Sequence, residues 1–335
     1  MKRVGILGAG TWGTALAHML CANGHQVTMW SALKEELKQM AETHKHKNLP
    51  GLTLEEAIVL TTDMSEVCLN QDILVFAMPS VYVRSSAKAA SPYIPDSQIV
   101  VDVSKGIEPD TLLTMSEVIE DELKKNNPGK TYRMVALSGP THAEEVAIDL
   151  PSTIVSASAD PEVAKLVQDV FMNNNMRVYT NDDRKGVELC GAMKNIVALA
   201  SGISSGLGYG DNAKAALITR GIAEIKRLGL AMGCDENTFN GLAGIGDLIV
   251  TAMSIHSRNN RCGYLIGQGK TKEEAIAEVG MVVEGINAIP AAKQLSKKYQ
   301  VEMPLVLAVD AVVNQGADPR ITVNRLMGRE KKSEF

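Results

Sequence analysis

In the run GVELCGAMKNIVALASG, helical spacing puts Cys190 and Gly191 one turn before Lys194 and Val197 and Ala198 one turn after it. A lysine on so apolar a face has two courses. It either carries its stem to solvent, or it loses hydration and its pKa falls into the range useful for proton transfer. The later run GLAGIGDLIVTAMSIHSRNNRCG offers partners. Asp247 follows three glycines and is of a type that caps helices, and Thr251 falls one turn later on the same face. Ser257, Arg258 and Asn259 group a guanidinium with hydroxyl and amide donors, a set suited to a small phosphate. His256 beside them is set aside as a base, because Lys194 fills that role better.

A second anion-binding pattern lies near the start. Gly8, Gly10 and Gly13 have GxGxxG spacing between the strand-like RVGIL and a helical run. The first glycine permits a tight turn, the second lets backbone approach a pyrophosphate, and the third lets helix and strand pack closely. Free N–H groups at the helix start would face the phosphates. The site therefore reads as one for a dinucleotide. Its second strand, Gln26 to Trp30, runs into Ser31 and Ala32 rather than the acid expected of an NAD-restricted site. Ser31 leaves room for a 2′-phosphate, which Lys34 either neutralises or, as a solvated helix residue, ignores; NADP and NAD both stay open.

These groups need a scaffold. Short buried strands are predicted at Ile58–Thr61, Ile73–Ala77, Gln98–Val103, Arg133–Leu137 and Ser152–Ser158, with helices such as Val81–Ala90, Thr111–Lys125 and Pro161–Phe171 between them. The alternation predicts an α/β fold with a doubly wound sheet, whose ligands sit beyond the carboxyl ends of the strands. There lie Met78-Pro79-Ser80, Ser104-Lys105-Gly106 and Ser138-Gly139-Pro140-Thr141, with Lys105 the single charged group among them. Thr141 and Glu144 have capping-box spacing. After a last strand at Met176–Thr180 the pattern turns helical, which divides the chain into a dinucleotide-binding domain, 1–181, and an all-helical domain, 182–335. From Gly328 onward a polar, mobile tail is expected.

Composition narrows the class. With 335 residues, 45% of them hydrophobic, the chain can bury a large core. A net charge of -5 argues against nucleic-acid partners, so an anionic ligand must be held by local cations. Five cysteines without regular spacing suggest neither a disulfide framework nor zinc, and His44 to Lys47 reads as a solvated loop; no metal is expected. Lys2 and Arg3 precede an uncharged stretch that imitates a secretory leader, but Thr11, His18, Asn23, His25 and Gln26 interrupt it. The expectation is a cytoplasmic protein without membrane insertion.

Taken in order, Gly8-Ala-Gly-Thr-Trp-Gly13, Ser104-Lys-Gly-Ile107, Ser138-Gly-Pro-Thr141, Ala192-Met-Lys-Asn-Ile196, Gly208-Tyr-Gly-Asp-Asn212, Gly244-Ile-Gly-Asp-Leu248, Ser257-Arg-Asn259 and Val283-Glu-Gly285 resemble the motifs of bacterial NAD(P)-dependent glycerol-3-phosphate dehydrogenases, over essentially the whole chain. The resemblance implies a Rossmann-type domain followed by a helical domain of the 6-phosphogluconate dehydrogenase C-terminal type. It implies cofactor contacts from Thr11, Trp12, Lys105, Ala143, Arg258, Val282 and Glu284. Substrate contacts would come from Lys105, Gly139, Thr141, Lys194, Asp247, Ser257, Arg258 and Asn259, with Lys194 as the proton acceptor. The implied reaction is reduction of dihydroxyacetone phosphate to sn-glycerol 3-phosphate for phospholipid synthesis, by a homodimer. Where the family often has arginine, this chain has Ala32, which bears on NADP preference. A 3-hydroxyacid dehydrogenase and a non-catalytic NAD(P) sensor are the alternative expectations.

Overall fold

Runs rich in Val, Ile and Leu become the strands β1 (Arg3–Leu7), β2 (Gln26–Trp30), β3 (Val59–Thr61), β4 (Ile73–Phe76), β5 (Gln98–Asp102), β6 (Tyr132–Ser138), β7 (Ser152–Ala157) and β8 (Met176–Asn181). The computed structural model describes residues 1–335 other than 255, 332 and 335, so part of the expected tail lies outside the described residues. One sheet holds all eight strands in the order β3-β2-β1-β4-β5-β6-β7-β8. The first six are parallel and in the order of a dinucleotide-binding sheet. β7 then reverses against β6, and β8 runs parallel to β7. Burial on both faces explains the unbroken apolar run of β4 and the apolar centre of β5, whose end residues Gln98 and Asp102 are buried as well.

Several boundaries differ from the sequence reading. The helix expected from Thr111 starts at Met115, because Leu112 is left-handed at φ 60° and Ile107 bridges to Thr114, closing residues 107–114 into a loop. Val81 lies in a 3₁₀ turn, Ser80–Tyr82, that precedes the helix Val83–Ala90. The Thr141–Glu144 capping box does not form. Thr141 Oγ1 donates to the Gly139 carbonyl at 3.2 Å, and the one-turn helix Ala143–Val146 starts after His142. His46 is buried rather than solvated, and its Nδ1 accepts from the Asn48 amide at 3.2 Å.

All regular structure after β8 is helical among the described residues. The central helix Arg184–Gly206 is buried from Gly186 to Ser204. Among the described residues it alone is long and apolar enough to cross a bilayer, and its apolar window is wholly enclosed by protein. The helix Arg258–Gly267 crosses it with backbones nearly touching. A Cβ on Gly202 would lie 2.0 Å from the Asn260 carbonyl oxygen, and one on Gly263 would lie 2.1 Å from that of Leu199. Ser201 Oγ and Asn260 Nδ2 then both donate to the Ala252 carbonyl, at 2.8 and 2.7 Å, which fixes the helix Asp247–Met253 against the pair. The loop 104–114 emerges from the sheet, yet its Ile107 is buried in the hydrophobic cluster of the helical half, with Leu189, Cys190 and Met193.

Candidate active site

The central helix carries Lys194 to the carboxyl edge of the sheet with 5% of its surface exposed. Its Nζ donates to Asp247 Oδ1, and to Thr251 Oγ1 at 2.6 Å. The other Asp247 oxygen accepts from Lys105 Nζ at 2.6 Å, and the same ammonium lies 3.5 Å from the Gly139 carbonyl. Asp247 is 1% exposed. It does not cap its helix: it is the first helical residue, and both carboxylate oxygens are taken by lysines from the two halves of the chain. The glycines before it lie in a kinked turn, Leu242–Gly246, where Gly244 leaves helical geometry at φ -86° and ψ -105°, rather than in an open flexible approach.

Burial is the largest influence on Lys194 and drives its pKa down; the Asp247 charge opposes this, Lys105 reinforces it, and the result is about 7. Burial pushes the Asp247 carboxyl up, but Lys105 and Lys194 outweigh it and hold the group below its ordinary value. The trio is a buried carboxylate between two cations, one of which can release a proton near neutrality. His142 was not singled out in the sequence. Its ring lies 5.9 Å from that of His256, and burial, then Lys194, lower its pKa.

The phosphate-suited cluster opens the helix Arg258–Gly267. Ser257 is its N-cap and accepts from the Asn260 amide at 3.2 Å. Arg258 is exposed and donates to the Val282 carbonyl at 3.3 Å. Asn259 is already engaged: its Nδ2 donates to Asn195 Oδ1 at 3.0 Å, and its Oδ1 accepts from the Gly285 amide at 2.7 Å. Next to Gly285, the Glu284 carboxylate accepts from the Ser80 amide at 2.9 Å and from Ser80 Oγ at 2.6 Å, joining the helical half to the end of β4. Ser80 was visible as a strand-end residue; its partner 204 positions away was not.

Descriptions of the NAD-dependent glycerol-3-phosphate dehydrogenase N-terminus and C-terminus match residues 3–164 and 183–324. The chain belongs to the glycerol-3-phosphate dehydrogenase family. It is 66% identical to glycerol-3-phosphate dehydrogenase (NAD(P)+) 2 of Lactobacillus delbrueckii subsp. bulgaricus, over all of this chain and 99% of that one. Identity to the Bacillus subtilis glycerol-3-phosphate dehydrogenase (NAD(P)+) is 50%, over all of this chain and 96% of the relative. The crystal structure of glycerol-3-phosphate dehydrogenase from Coxiella burnetii superposes with a TM-score of 0.93 at 35% identity, covering 98% of this chain and 99% of that one. A ketopantoate reductase from Ralstonia eutropha, at 16% identity and TM-score 0.61 over 97% and 99% of the two chains, shares the fold alone.

Residues of the glycine loop suit the family's dinucleotide. Gly8 has φ 121°, and a Cβ there would strike the Ala77 carbonyl oxygen at 2.4 Å, so only glycine makes this turn. Around Gly10 the position of a Cβ is open, whereas at Gly13 it would meet the Gly8 oxygen at 2.1 Å. Thr11 Oγ1 is buried with no hydrogen-bond partner in the protein, at the start of the helix Thr11–Ala22, where a phosphate oxygen would satisfy it.

Proposed function

We propose that this chain catalyses the reversible, NAD(P)H-dependent reduction of dihydroxyacetone phosphate to sn-glycerol 3-phosphate, feeding glycerophospholipid synthesis. The observation that carries the reading is the pair Lys194 and Lys105 on one buried carboxylate, at the ligand-binding edge of a dinucleotide-type sheet. When bound, the nicotinamide supplies the hydride. Gly8, Gly10, Thr11, Trp12 and Gly13 would hold the pyrophosphate side of that cofactor, with Ala143, Lys105, Arg258, Val282 and Glu284 around its far end.

Lys194 holds the proton that the developing alkoxide takes, and its positive charge stabilises that oxygen before transfer. Lys105 adds a second cation, and Asp247 orients both ammonium groups. We assign the phosphate to Arg258 with Ser257 and to Asn259 through the helix start it fixes, and we place Gly139 and Thr141 beside the substrate. Residues 1–181 and 182–335 serve as cofactor and catalytic domains of a cytoplasmic homodimer, a stoichiometry that sedimentation equilibrium would test.

A panel of ketones assayed with NADPH and NADH decides the reaction. Turnover of dihydroxyacetone phosphate with either cofactor is expected. Activity on phosphate-free ketones or 3-keto acids without it, or cofactor binding without any turnover, would reject the assignment.

A further inference from the structure

One buried carboxylate near the site is used by no step above. Glu188 lies on the central helix, six residues before Lys194, and is 6% exposed. Its side chain leaves its own helix entirely. Oε1 accepts from the Ser116 amide at 2.7 Å, and Oε2 accepts from Ser116 Oγ at 2.6 Å and Thr114 Oγ1 at 2.9 Å. Thr114 is the N-cap of the helix Met115–Asn126, so a carboxylate from the helical half caps a helix of the sheet half. Thr114 also bridges back to Ile107, two residues beyond Lys105, and the Glu108 amide donates to the Leu113 carbonyl at 3.0 Å. Glu188 therefore grips the far end of the loop that carries Lys105.

From the sheet side the loop is held by Asp102, which accepts from the Ser104 amide at 3.0 Å, and by Arg84, which makes two 2.7 Å bonds to Glu108. The Arg84 contact does not reach the helix that bears Lys194, and Asp102 meets that helix through the charge of Glu188, which adds to burial in raising the Asp102 carboxyl. Glu188 ties the loop to that helix directly, because six residues of one helix are a rigid spacer of about 9 Å. Burying a carboxylate is costly: burial raises the Glu188 carboxyl, and three donors offset part of that cost at a contact between the two halves of the chain.

We propose that Glu188 is a positioning residue that sets Lys105 in register with Lys194, so that both ammonium groups meet Asp247 and the substrate together; this rests on the reaction proposed above. The test is a double-mutant cycle of Glu188→Gln and Lys105→Met. Glu188→Gln should lower kcat/KM for dihydroxyacetone phosphate by ~10²-fold, the scale of an ångström of misplacement. In the Lys105→Met background it should cost nothing further. An unchanged kcat/KM, or a loss that simply multiplies with that of Lys105→Met, would overturn the proposal.

Should Glu188→Gln fail to fold, Ser116→Ala and Thr114→Val remove its donors singly and enter the same cycle with the same two outcomes. Amide hydrogen exchange on the free wild type and variant needs no substrate and separates this proposal from the assigned reaction. Faster exchange confined to 104–114 is expected even if another ketone proves to be the substrate, and unchanged exchange there would reject the clamp.

Discussion

With its ammonium buried beside Asp247 and its pKa near 7, Lys194 is protonated below neutrality and free base above it. Ketone reduction consumes that proton and alcohol oxidation needs a vacant base. We expect kcat for reduction to fall as pH rises through about 7 and kcat for oxidation to rise over the same interval. Lys194→Met should abolish both inflections and lower kcat by ~10²–10⁴-fold while cofactor titration stays normal; a retained inflection would assign it to another group. Arg258→Lys keeps the charge but loses the fork, and KM for the phosphorylated ketone should rise ~10-fold or more per charged hydrogen bond lost. Equal KM values would remove Arg258 from the phosphate. Ser31 Oγ accepts from the Leu33 amide at 3.1 Å, a turn bond that a carboxylate can also accept. Ser31→Asp should thus fold and shift the NADPH to NADH ratio of kcat/KM toward NADH; an unchanged ratio would place Ser31 away from the ribose. At this scale the sequence was informative about residue types and offered Asp247 and Thr251 as partners of Lys194, both of which meet its ammonium. Lys194 stood out by its apolar neighbours, but no local spacing shows how Asp247 divides its two oxygens between Lys194, 53 residues before it, and Lys105, 142 residues before it.

Elements were legible wherever periodicity alone decides them. All eight strands fall within a residue of their predicted ends, since short apolar or alternating runs between turn signals mark them, buried throughout in β4 and alternating in β8. Tertiary contacts decided the rest. Residues 111–114 have helix-forming neighbours, yet packing of Ile107 in the helical core and the hold of Glu188 on Thr114 pull them into a loop. The kinked turn before Asp247 has no sequence signature beyond its glycines. Those at 202 and 263 are the clearer case, because their spacing looks like ordinary helix weakening until the crossing helix is seen. Gly202→Ala should force the two helices apart and destabilise the fold by ~1–3 kcal/mol, the usual cost of overpacking. It should also raise KM for the phosphorylated ketone, because Ser257 to Asn259 begin the displaced helix. A thermal melt and KM from one preparation check both effects, and a wild-type melt would deny the close approach.

Across the whole molecule, two buried charges pull stability in opposite directions as pH changes. Glu224 caps the helix Pro304–Gln315 through the Leu305 amide at 2.8 Å, and burial raises its pKa from 4.5 to about 7. Between those values the folded chain binds more protons than the unfolded one, so this group lowers stability as pH climbs from 4.5 to 7. Lys194, lowered from 10.5 to about 7, leaves the unfolded chain with the extra proton, so its contribution rises with pH from 7 to 10.5. Melts should show Glu224→Gln gaining on wild type as pH rises to 7, and wild type gaining on Lys194→Met above it. Parallel curves would contradict both. A last consequence concerns synthesis on the ribosome. Ile107 belongs to a core built largely from residues after 187, so although Asp102 and Arg84 can already hold the Lys105 loop, the Ile107 side chain has no core to enter when it first emerges. At ~5–20 residues per second the central helix follows ~5–20 s later. Through that interval the nascent sheet carries Ile107 uncovered, and a stall before residue 206 would leave that side chain available to chaperones.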